Sequence, residues 1–79
     1  MTYKNLLQIL KTIGFIKIAT MGSHVMLQHP NYPQRITIPL SSSKKEIPAG
    51  TLAAIKKIVI EAGIISKEEL NKQLLINSQ

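Results

Sequence analysis

A small α+β domain, with a three-stranded antiparallel sheet covered on one face by helices, is the fold class that this sequence predicts. Three observations carry the prediction. Apolar residues near the N-terminus recur at helical spacing and stop at Gly14. The period then changes to two, in three short runs separated by turn-forming residues. Helical spacing returns near Thr51 and stops again at Gly63.

Each element follows from its residues. Thr2 is placed to cap a helix over 3–13, whose inner stripe is Leu6, Leu7, Leu10 and Ile13, with Gly14 as the left-handed stop. A first strand is expected over 15–20, a turn at Met21-Gly22-Ser23, and a second strand over 25–29. The stretch 29–33 reads as a loop, because Pro30 and Pro33 flank Asn31 and lack the N–H a ladder needs. A third strand over 35–38 ends at Pro39, and 41–46 is a polar loop holding Lys44 and Lys45. The second helix begins near Gly50 or Thr51 and buries Leu52, Ile55 and Val59. Ser66-Lys67-Glu68-Glu69 has the form of a capping box and opens a short third helix carrying Leu70 and Leu74.

Side chains alternate across a strand, so parity assigns faces. With Ile16, Ile18, Ile36 and Ile38 turned to the helices, Lys17, Arg35 and Thr37 turn away. The middle strand is ambiguous, since Val25, Met26 and Leu27 are all apolar; if Val25 and Leu27 join the core, His24, Met26 and Gln28 join Lys17 and Arg35 on the open face. This arrangement sets an imidazole among cations on a surface that the core does not need.

Size and charge narrow the function. Seventy-nine residues make one domain, burying roughly 60–65 % of the unfolded surface, which suits a protein that works with a partner. Cysteine is absent, so there is no disulfide framework. Gln8 and Lys11 interrupt the first apolar stretch and Lys56, Lys57 and Glu61 the longest one, so neither a signal peptide nor a membrane span is expected, and the location expected is cytoplasmic. The formal charge is +6, and nine of the ten cations are lysines. Such a field attracts phosphate polyanions or an acidic protein, through a diffuse footprint rather than through bidentate base reading by arginine.

Only His24 and His29 carry a side chain whose ordinary titration lies near neutrality, and the chain has no Asp. At the Gly22-Ser23-His24 turn, His24 is a candidate proton-transfer group. The competing structural reading is a turn histidine whose ring bonds a carbonyl. His29 lies five residues on, an odd separation that turns the two rings to opposite faces, and reads as a loop residue. The pair is therefore suited neither to shared acid–base work nor to a metal, and no metal or cofactor is expected. Ser23 lacks a triad and serves better as a phosphate donor or a turn-former, while Gly22 supplies a positive φ. Lys44 and Lys45 are either a solvated loop or a phosphate clamp before a helix N-terminus.

The ordered set Gly14-Phe15, Gly22-Ser23-His24, His29-Pro30, Ile36-Thr37-Ile38-Pro39 and Pro48-Ala49-Gly50-Thr51-Leu52, followed by Ile55 and Ala62-Gly63-Ile64, resembles the HicA-type toxin family. The resemblance covers about residues 3–65. It implies a double-stranded-RNA-binding-domain-like α-β-β-β-α domain over 1–65, with 66–79 as a helical extension. It also implies a ribosome-independent endoribonuclease, an mRNA interferase with His24 as its catalytic histidine, and a HicB-type antitoxin that covers that site. Gly22, Ser23, Lys17, Arg35, Lys44 and Lys45 are then the candidate RNA- and phosphate-binding residues. The chain departs from the family where a second histidine often follows the motif, at Val25, and near Leu40, leaving His24 as the acid–base residue. A non-catalytic RNA-binding domain, and a subunit that only binds protein, are the alternatives from other classes.

Overall fold

A computed structural model describes residues 1–39 and 46–77. The elements run α1 (Tyr3–Thr12), β1 (Ile16–Met21), β2 (His24–His29), β3 (Tyr32–Pro39), α2 (Ala49–Glu61) and α3 (Lys67–Asn77). The strands form one antiparallel sheet in the order β1-β2-β3, so β2 is central and the outer two are edges. This is the α+β arrangement expected, α-β-β-β-α, followed by one further helix.

The first helix starts and stops as its sequence dictates. Thr2 Oγ1 accepts from the Asn5 N–H at 3.2 Å. At the other end the Phe15 N–H donates to the Leu10 carbonyl at 2.9 Å and the Gly14 N–H to the Lys11 carbonyl at 3.2 Å. Gly14 lies at φ 109°, which completes a Schellman stop, and buried Phe15 and Leu10 supply the apolar contact that accompanies one. The same device ends α2, where Ile64 donates to the Val59 carbonyl beside Gly63 at φ 72°. Ser66 Oγ accepts from the Glu69 N–H at 3.1 Å and opens α3.

One core joins these elements. Leu6, Ile9 and Leu10 of α1 and Ile55 and Val59 of α2 meet Val25, Leu27, Ile36 and Ile38 of the sheet. Phe15, Ile47 and Leu70 belong to the same cluster, and the burial of Leu70 ties α3 to α1. Backbone contact between Thr2 and Glu46 and a bond from the Ile47 N–H to the Met1 carbonyl hold the approach to α2 beside the start of α1. No helix among the described residues is long and apolar enough to cross a membrane.

Three expectations from the pattern are corrected. Ile16 and Ile18 do not enter the core: they are 59 % and 43 % exposed. Ile16 pairs with Gln28 and Lys17 with Leu27, so Lys17 lies on the helix side of the β1 edge, and an irregularity at Ile18 follows. The cause is the Schellman stop, which turns Phe15 inward and thereby forces Ile16 outward. The third strand begins at Tyr32, not Arg35, and includes Pro33, which an edge strand tolerates. The loop is thus shortened to a tight turn at Pro30-Asn31. α2 begins at Ala49, one residue before the expected start, without a side-chain cap.

Candidate functional site at the Gly22-Ser23-His24 turn

The β1–β2 hairpin closes through two residues, Gly22 and Ser23, because Met21 and His24 are Cα partners. Gly22 has φ 60° and Ser23 a negative φ, the sign pattern of a type II′ turn, which matches the twist of the flanking strands. Nothing lies within 4 Å of a Cβ built on Gly22, so its backbone angle alone calls for glycine. Both turn residues are exposed.

His24 opens β2 immediately after this turn and pairs on its other side with Pro39. Its ring stands on the outer sheet face, since Val25 and Leu27 are buried on the inner one. His24 is exposed, and among the described residues its ring has no hydrogen-bond partner. No described residue engages either nitrogen. The register surrounds it with Met21, Met26, Thr37 and Pro39. Arg35 shares this face, two residues along β3 from Thr37, whereas Lys17 sits on the opposite one. Among the described residues the imidazole is therefore not ringed by cations as parity alone implied. Lys44 and Lys45 follow β3 in sequence and lie outside the described residues.

The other histidine has the role that the sequence left open for His24. His29 is buried, and its Nε2 lies 3.1 Å from the Ile13 carbonyl. Its Nδ1 accepts from the Asn31 N–H at 3.0 Å, which makes Nε2 the protonated nitrogen and the donor to Ile13. Phe15 meets the ring edge-on at a centroid distance of 5.2 Å. A Cβ added at Gly14 would lie 2.7 Å from His29 Nε2. His29 is thus not a loop residue but a bolt between the end of α1 and the β2–β3 turn. The sequence signals for it are the Gly14-Phe15 step and a histidine set before proline. The odd spacing does turn the two histidines to opposite faces. Among the described residues no three His, Cys, Asp or Glu side chains come together.

Fold and site together define a small α+β protein whose sheet is backed by helices on one face and presents an exposed histidine on the other. Residues 3–64 match the family described as HicA toxin of bacterial toxin-antitoxin, and the chain belongs to that family. It is accordingly a toxin of a toxin–antitoxin module. No curated protein matches the chain.

Proposed function

We propose that this toxin is an endoribonuclease that cleaves mRNA in the cytoplasm without a metal or cofactor, using His24 as general base. The observation that carries the reading is His24 itself, exposed at a tight turn with neither ring nitrogen engaged by a described residue. A shape-reading RNA binder needs cations and hydroxyls but no such group.

RNA supplies its own nucleophile. His24 takes the proton of a 2′-hydroxyl, the 2′-oxygen bonds to the adjacent phosphorus, and the bond to the 5′-oxygen breaks. The products are a 2′,3′-cyclic phosphate and a 5′-hydroxyl, the latter protonated by water or by the imidazolium. The Gly22 and Ser23 N–H groups and the Ser23 hydroxyl are the donors closest in sequence to the developing phosphorane charge. Arg35, on the same face, holds a flanking phosphate, and Lys44 and Lys45 take the same role as a basic pair in the sequence. Lys17, turned to the other face, contributes only to the overall field. A lone proton-transfer group without a matched acid gives up roughly 10²–10⁴ in rate, so turnover is slow.

A HicB-type antitoxin fits the same reading by covering His24 and the outer face, steered by the +6 charge of the toxin. The test is end-group analysis of RNA incubated with purified toxin in a chelator. Cyclic phosphate ends support the mechanism, as does resistance of substrates with 2′-deoxyribose at the scissile position. Cleavage that needs added magnesium contradicts it.

A further inference from the structure

The outer sheet face carries a second feature, at the far end of β2 from His24. A groove of about 510 Å³ is lined by Ile16 and Ile18 of β1, Gln28 of β2, and the run from His29 to Pro33 around the next turn. Ile16 and Ile18 are turned out of the core at an energetic cost, since apolar side chains gain from burial. Gln28 and Ile16 are cross-strand partners, and the Gln28 carboxamide is anchored by donating Nε2 to the Pro33 carbonyl at 3.3 Å. Its oxygen is left to accept. Arg35 lies two residues along β3 from Pro33.

We propose that this groove is a nucleobase subsite, holding one unpaired base of the RNA a few nucleotides from the cleaved bond. The inference rests on the endoribonuclease reading for its ligand. Four residues of β2 separate Gln28 from His24, about 13 Å at strand rise, on the same face. That span sets the groove apart from the scissile phosphate, so the subsite takes a base displaced along the strand from the cleaved bond. The flat walls of Pro30, Tyr32 and Pro33 opposite two isoleucines suit a planar ring, and Gln28 offers its edge an amide. Arg35 stands where the accompanying phosphate would run, and the charge of the whole chain favours a polyanion over an apolar helix of a partner. Stacking of this kind is tolerant of sequence, because every base has a π-face.

The experiment measures binding by fluorescence anisotropy of a 2′-fluoro hexanucleotide, which lacks the nucleophile, and of the same hexamer with every base removed. Wild-type toxin and the Ile16→Ser/Ile18→Ser variant are compared at fixed salt. The intact hexamer should bind the variant roughly 10-fold more weakly, while the abasic one binds both proteins alike, because only phosphates remain to be held. Photocrosslinking of a 5-iodouracil hexamer to the wild-type chain, which needs no variant, should label Tyr32. Equal losses on both oligonucleotides, no loss on either, or crosslinks confined to the helices overturn the subsite. A variant that loses only its antitoxin complex also overturns it and assigns the groove to the protein partner. Cleavage of unmodified RNA by the wild type is scored in parallel. Its absence removes the endoribonuclease reading without touching the base dependence, and its presence beside flat binding removes the subsite alone.

Discussion

Replacing His29 with alanine takes three interactions out of the structure at one stroke. The Ile13 carbonyl loses its 3.1 Å donor, the Asn31 N–H its 3.0 Å acceptor, and Phe15 the ring that it meets edge-on. The two hydrogen bonds are only part-buried, so water reaches the orphaned groups and each loss is worth about 0.5–1.5 kcal/mol. The aromatic pairing adds about 0.5–1.5 kcal/mol. The combined cost is on the order of 2–4 kcal/mol, which for a domain of this size lowers the thermal midpoint by roughly 10–25 °C. A double-mutant cycle sharpens the test. Gly14→Ala puts a Cβ 2.7 Å from His29 Nε2 and forces a side chain onto φ 109°, so it destabilises through both steric overlap and backbone strain. With His29→Ala already present the overlap is relieved and only the strain remains. The double variant should therefore lose less than the sum of the singles, by about 1 kcal/mol. Thermal and urea unfolding followed by circular dichroism read all four proteins. A midpoint within about 4 °C of wild type for His29→Ala, or a strictly additive cycle, would refute the bolt.

Other perturbations have equally definite outcomes. Leu70→Ala should cost about 2–5 kcal/mol in urea unfolding, because Leu70 is 3 % exposed within the shared core; a neutral result would detach α3 from the fold. Lys44→Ala with Lys45→Ala should flatten the dependence of log RNA affinity on log salt by about 0.7 for each phosphate no longer neutralised, and an unchanged slope would leave both as solvated loop residues. Addition of the antitoxin should protect the His24 ring from solvent and perturb its NMR signals, with the His29 signals little changed. If His24 is untouched while RNA binding is lost, neutralisation runs through another surface.

Much of this architecture is legible in the sequence, because its local signals agree with one another. Thr2 and Gly14 bracket a helix whose apolar stripe leaves no other reading, and Gly22-Ser23 between two apolar runs marks a hairpin. Parity leaves the middle strand open, because Val25, Met26 and Leu27 are all apolar, and the structure adopts the alternative with Val25 and Leu27 inward and His24 outward. The first strand is misread by parity, since Ile16-Lys17-Ile18 alternates in hydrophobicity while all three side chains are exposed. Hydrophobicity reports burial only when the core supplies the reason, and here the outward isoleucines line a groove. The helix stop contains the correct answer: a Schellman turn packs the residue after the glycine against α1, which fixes Phe15 as inward and the rest of the parity with it. The role of His29 is hidden because proline on both sides of Asn31 suggests a long loop, whereas β3 is an edge that accommodates Pro33. The exposure of His24 is readable from the turn. The apolar and hydroxyl character of its neighbours is not, since it depends on the register of three strands.

The role of His24 is tested most directly by growth inhibition and RNA cleavage measured side by side for wild type, His24→Ala and His24→Gln, with unfolding midpoints for all three. His24 is exposed and makes no hydrogen bond with any described residue, so either substitution should change stability by no more than about 0.5 kcal/mol. Both should abolish cleavage and growth inhibition while RNA binding persists. A folded His24→Ala protein that still cleaves RNA and still arrests growth would contradict the catalytic assignment.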